Sequence, residues 1–249
     1  MLLKVVVVLS DDIKLDVFEN SKYILKEDLV NYIKKSTDYD KDSSIRWVIH
    51  ELVKSGEITK VDSKHYYKGL LKNYTPRVES KKKKLLKKVI TEKYPKLDIV
   101  IYETNIFNEW INHQISRNVI FVEVEKFHIE DVFTYLRDHI TNKILLNPTI
   151  GDYYLYSEDD MVIVSSLITR APMNKESYEI KVEKLIVDLF SSDLVSKLVS
   201  QSEYAAIIDN IFRMYKVNIK TIFSYAKRRN LMEITHKYVR KYDPSEVNK

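Results

Sequence analysis

In the stretch DKDSSIRWVIHELVKSGEITKVDSKHYYK, residues 40–68, Ser43, Arg46, Trp47, His50 and Lys54 follow one another at intervals of one to four residues. On a helix, with about 100° per residue, they fall on one side. The side so formed carries a hydroxyl, a guanidinium, an indole, an imidazole and an ammonium. Such a set suits a nucleic-acid surface: the polar four contact phosphates or base edges, and the aromatic packs against sugar or a thymine methyl. The plainer reading leaves the charges solvated and packs Trp47 against a neighbouring helix or a second domain.

The elements that must hold this face can be read around it. Ile45, Val48, Ile49 and Leu52 form the opposite, apolar stripe of the same helix. Asp42 or Ser43 is the expected N-cap, and Gly56 the expected stop. After Gly56 the residues EITKV, DSK and HYYKG spell a two-stranded ribbon, which adds Lys60, Lys64 and His65 as candidate contacts. Upstream, Ile13, Val17 and Phe18 suggest a first short helix, and Leu29, Val30 and Ile33 a second. Three helices and a ribbon in this order predict a winged helix-turn-helix domain over residues 1–72, whose last helix enters the major groove.

Residues 73–79 hold Pro76 and no apolar period, and are expected to be a linker. Then SKKKKLLKKVITEKYP surrounds a seam of Leu85, Leu86, Val89 and Ile90 with six lysines, read either as a phosphate-lining face or as an ordinary solvated one. Further on, LDIVIYE, NVIFVEVE, NKILLNP, DYYLY and DMVIVSSLI read as strands, and NIFNEWINHQ and IEDVFTYLRDHI as helices. From about Tyr178 the pattern is helical throughout. The expected fold class is α+β: the winged helix, followed over 80–249 by an α/β domain with a C-terminal helical bundle. Up to residue 95 there are 21 Lys and Arg against 14 Asp and Glu, and beyond it 20 against 22. The basic excess lies with the N-terminal part, pointing to an acidic polymer as partner.

Several chemistries lack their residues. The chain has no cysteine, so disulfides, thiolate zinc sites and a Cys nucleophile are excluded. Its three glycines occur as GE, GL and GD, without the Gly-Ser or Gly-Thr turn of a nucleotidyltransferase, and there is no Walker loop or dinucleotide fingerprint. Asp159 and Asp160 are adjacent carboxylates, but in a turn sequence. FVEVEK with Asp98 upstream has a restriction-nuclease flavour with the wrong spacing, since Val124 stands two before Lys126. His113, His128, His139 and His236 show no metal-ligand spacing. We therefore expect no catalytic residue, no metal and no cofactor. The absence of cysteine fits a cytoplasmic protein, and the opening MLLKVVVV is too short to span a bilayer and is expected to be a buried strand, so no membrane contact is expected. The oligomeric state is left open.

After the first ten or so residues the chain resembles a family of uncharacterised bacterial winged-helix proteins related to the AbiEi-type antitoxins of abortive-infection, type IV toxin–antitoxin systems. The resemblance is carried by the order of IRWVIHELVKSGEI, NEWINHQ, VIFVEVEK, ILLNP, LITRAP, VEKLIVDLF and YAKRR. It implies a transcriptional regulator that binds its own promoter through the winged helix, and a C-terminal domain that supports antitoxicity against a nucleotidyltransferase-type toxin or its RNA target. It also implies a functional surface at Glu183, Lys184 and Asp188. Arg228 and Arg229, in the basic end of a helix, could extend a nucleic-acid footprint; Lys184 and Asp188 could equally be a simple i, i+4 ion pair. One departure stands at the ribbon, where relatives tend to have Arg-Gly before the last Tyr and this chain has SKHYY.

Overall fold

The computed structural model describes residues 13, 15–37, 39–76, 79–111, 114–115, 117–156, 158–191 and 194–247. The valine run, two residues of the expected linker, and His113 lie outside them. The architecture is mixed α and β with two sheets. The chain divides into two compact units. The first joins Met1–Asn73 with Phe212–Asn218 and Tyr238–Lys249; the second joins Tyr74–Ile211 with Ile219–Lys237. This differs from a simple division at residue 80, because two C-terminal pieces go with the first unit. Tyr23 donates its hydroxyl to the Phe212 carbonyl at 2.7 Å, and the Phe212 and Tyr242 rings stack. Lys72 and Met214 pair through the backbone, as do Lys216 and Lys72. Partners so far apart in sequence leave no local signature.

In the first unit, β1 (Tyr23–Leu25) leads into α1 (Lys26–Ser36), then α2 (Asp42–Ser55), β2 (Ile58–Lys60) and β3 (His65–Lys68). The sheet order is β1-β3-β2 with both pairings antiparallel. The helix expected around residues 13–18 is a single 3-10 turn, Asp16–Phe18. Leu15 before it sits at φ 50°, a left-handed conformation that a helix of L-residues does not propagate. α2 begins at Asp42 with Lys41 as N-cap and no side-chain cap, so neither Asp42 nor Ser43 caps it. Asp42 instead puts its negative charge in the first turn, where the helix dipole favours it. Gly56 ends the helix at φ 83°, donating its N–H to Val53. Ile45, Val48, Ile49 and Leu52 are buried in one cluster with Leu29, Ile33, Ile58 and Tyr66. Each such side chain contributes about 1.5–3 kcal/mol relative to exposure.

The second unit runs through α3 (Lys81–Lys93), β4 (Ile99–Glu103), β5 (Val119–Val124), α4 (Ile129–His139), β6 (Ile144–Leu146), α5 (Ile150–Tyr156) and β7 (Met161–Ser166). It continues with α6 (Val182–Asp188), α7 (Leu194–Leu198), α8 (Tyr204–Met214), α9 (Ile219–Arg228) and α10 (Met232–Val239), α8 and α10 ending in the first unit. The sheet order is β4-β5-β7-β6; β4 is antiparallel to β5, and β5, β7 and β6 are parallel. Leu86 and Ile90 of α3 and Val132 and Leu136 of α4 pack on the sheet face formed by Ile99, Ile101, Val122 and Val162. DYYLY, expected as a strand, lies in helix α5. Asp152 accepts the Thr149 N–H at 2.9 Å, and Thr149 Oγ1 accepts the Asp152 N–H at 3.1 Å. That reciprocal pair is a capping box, and it outweighs the strand preference of the tyrosines. NIFNEWINHQ forms only a 3-10 turn, Thr104–Glu109, in its described part.

Candidate functional site

The five side chains singled out on α2 do share its outer surface. Ser43, Arg46, Trp47, His50 and Lys54 are all exposed, with Trp47 at 37% while Ile45 and Leu52 behind it are at 2% and 3%. Arg46 Nε donates to the Asp42 carbonyl at 3.2 Å and, among the described residues, its guanidinium meets no carboxylate. Lys54 lies 3.8 Å from Glu51, and His50 Nδ1 3.3 Å from the same carboxylate, both near the surface where such pairs are weak. Lys60, the last residue of β2, and Lys64, in the turn before β3, are exposed.

His65 is not part of this face. It is 5% exposed, its Nδ1 lies 2.9 Å from Asp62 and its Nε2 3.7 Å from Asp243. It ties the ribbon to the C-terminal segment and is unavailable to a phosphate. Burial pushes the Asp62 carboxyl up, but the Lys64 N–H and the His65 side chain and N–H outweigh it and hold the group below its ordinary value.

Two lysines of the six in the run of α3 are committed to structure, while Lys81, Lys84 and Lys88 are exposed. Lys83 is 1% exposed and bonded to Glu179 at 2.7 Å, and Lys82 donates to the Asp160 carbonyl at 2.6 Å. Burial lowers Lys82 below its ordinary value. Asp98, the upstream carboxylate of the nuclease-like pattern, pairs at the surface with Lys175 at 2.9 Å. Asp159 and Asp160 hold Asn118 at their turn.

Glu183, Lys184 and Asp188 do not form a surface. They are 8%, 1% and 4% exposed, because α6 has no solvent face. Lys184 Nζ lies 2.8 Å from Glu123 of β5 and 2.5 Å from Asp188. The i, i+4 pair is therefore real but belongs to a larger network. Tyr102 donates to Glu123 at 3.0 Å, Tyr225 donates to Asp188 at 3.1 Å, and Arg229 Nε approaches Asp188 at 3.7 Å. Burial pulls the Lys184 ammonium down, but Asp188 and Glu123 override it and hold the group charged, far above its ordinary range. Burial raises Glu123 against the pull of Lys184, and burial raises both tyrosines, keeping their hydroxyls neutral donors. Arg228 is exposed and donates to the Arg170 carbonyl at 2.8 Å.

This network floors a cavity of about 320 Å³. Its wall includes Phe121, Ile163, Ser165, Ser166, Asn147 and Ile168. Glu123, Ser166 and Asn147 stand at or just past the C-terminal ends of the three parallel strands, where open α/β sheets place their ligand crevices. Sequence reading reached Lys184 and Asp188 but missed Glu123, Tyr102 and the two serines; the signal was polar residues ending otherwise apolar strands. Among the described residues no three His, Cys, Asp or Glu side chains are grouped to hold a metal ion, and no helix is long and apolar enough to cross a membrane.

A family model described as "Family of unknown function (DUF6577)" matches residues 44–244. No curated protein matches the chain.

Proposed function

We propose that this chain, which belongs to the DUF6577 family of unknown function, binds duplex DNA through the outer face of α2. One observation carries the reading: Trp47 stays 37% exposed, beside Arg46 and His50, on a helix whose other side is fully buried. An indole in water has no folding benefit to offer, whereas at a groove it supplies packing against sugar or methyl groups. The order α1, α2 and the β2–β3 ribbon supports a winged helix-turn-helix, with Lys60 and Lys64 beside the phosphates. By the family resemblance, the protein is a cytoplasmic, non-enzymatic regulator of its own promoter and the antitoxin partner of a nucleotidyltransferase-type toxin.

The test is fluorescence anisotropy with a labelled duplex from the region upstream of the coding sequence, over a range of salt. Arg46, Lys54, Lys60 and Lys64 are the exposed cations of the face; if each neutralises one phosphate, log K against log salt has a slope of about −3.6. Specific binding with a slope near that value is the expected result. A flat salt response would make the unit a protein-interaction module instead. Co-expression with the neighbouring reading frame tests the antitoxin role, which is lost if a toxic neighbour is not neutralised.

A further inference from the structure

The cavity at the C-terminal ends of β5, β7 and β6 has chemistry that the DNA-binding reading does not use. Its charged groups are set against one another: Lys184 bonds Glu123 and Asp188, and Arg229 Nε lies 3.7 Å from Asp188, beyond hydrogen-bond distance. Among the described lining residues two cations face two anions, so their formal charges cancel. The other polar side chains of the wall are neutral. Ser165, on the same sheet face as Ile163, and Asn147 line the cavity, and their side chains make no hydrogen bond to another described residue. Around them the wall is apolar and aromatic. Phe121 lies at 5.1 Å and 10° to Tyr102, a flat two-ring stack, and Ile163 and Ile168 stand near it. The volume equals the liquid share of about ten waters at ~30 Å³ each, at the small end of ligand pockets.

We propose that this cavity binds an uncharged nucleoside or nucleobase. A flat heteroaromatic ring suits the Phe121 wall, since base stacking on aromatic side chains is favourable for any base. Its amide and ring-nitrogen edge suits a carboxamide and a hydroxyl, which both donate and accept. A phosphate is disfavoured, because it would enter beside the buried Asp188 and Glu123 carboxylates. A zwitterionic amino acid would place its carboxylate beside the same Asp188 and Glu123 carboxylates.

The experiment is isothermal titration of the full chain with adenosine, guanosine, cytidine and uridine, and in parallel with their 5′-monophosphates and a panel of amino acids. The expected result is saturable binding of at least one nucleoside, tighter than its monophosphate. Asn147→Gly, which suits the left-handed φ of 42° at that position, and Ser165→Ala change exposed or half-buried residues at the mouth and leave the core intact. Each removes a neutral hydrogen bond and weakens affinity by about three- to tenfold. Lys175→Ala, which pairs with Asp98 at the surface, leaves the affinity unchanged. The proposal is overturned if no nucleoside binds at about 1 mM, the weak end of the affinity scale. It is also overturned if monophosphates or amino acids bind better, or if both mouth variants bind as well as wild type. None of these results depends on DNA binding.

Discussion

Replacing Lys184 by methionine keeps the stem of the side chain and removes only the ammonium. Two carboxylates, Glu123 at 7% and Asp188 at 4% exposure, then face each other without the cation that stands 2.8 and 2.5 Å from them. Breaking a buried pair by deleting one partner costs about 3–5 kcal/mol, a large part of the roughly 5–15 kcal/mol that holds a domain folded. Urea unfolding followed by circular dichroism reads the effect. At a slope near 2 kcal/mol/M the midpoint falls by about 1.5–2.5 M. The sign of the pH dependence follows from the charges left behind. Without Lys184 one carboxyl has a folded pKa raised above its unfolded value, so protonation stabilises the variant, and its deficit against wild type shrinks as pH falls from 7 to 5. Adding Glu123→Gln to Lys184→Met restores part of the loss, because the one carboxylate that remains, Asp188, still has the Arg229 guanidinium 3.7 Å away. A midpoint shift below about 0.5 M, or a deficit that widens on acidification, would refute the reasoning.

Three further outcomes are expected. Leu52→Ala, 3% exposed in the first unit's core, costs about 2–5 kcal/mol, whereas Trp47→Ala on the outer face of the same helix stays within about 0.5 kcal/mol; thermal melts of the two variants give the comparison. Gly56→Ala places a Cβ 3.1 Å from the Leu70 side chain at φ 83°, and loses about 1–2 kcal/mol in the same melts; an unchanged melting temperature would mean that the turn is not left-handed in solution. Asp62 has a folded pKa below its unfolded 3.8, so its contribution is fully present above that value and lost as pH falls through the lower folded pKa. The Lys64 and His65 amide resonances should report a midpoint below 3.8, and a midpoint above it contradicts the assigned bonds.

What was legible in the sequence was what is local. The α2 stripe shows because its four apolar residues lie within eight positions, and Gly56 marks the end by its own backbone freedom. β1 was hidden, since Tyr23–Leu25 is three residues long and exists only by pairing with β3 some forty residues on. In α5 the capping pair Thr149 and Asp152 is a local helix signal, and the tyrosine-rich DYYLY beside it carries the opposing strand preference. Lys184 with Asp188 was visible as a helical pair. Its bond to Glu123 spans 61 residues and the Lys83–Glu179 bond spans 96, so lysines that look like surface charges are buried ties. His65 was misplaced for the same reason: Asp243 comes to it from the far end of the chain.

The outer face of α2 carries the functional reading, and Trp47 is a probe already in place. Trp110 is 3% exposed in the second unit, so Trp110→Phe leaves Trp47 as the sole indole. Acrylamide quenching of that variant is measured with and without a saturating promoter duplex. Docking through α2 predicts that the duplex shields Trp47 and the quenching constant falls; a duplex that binds by anisotropy while quenching stays unchanged would place the DNA elsewhere and contradict the account.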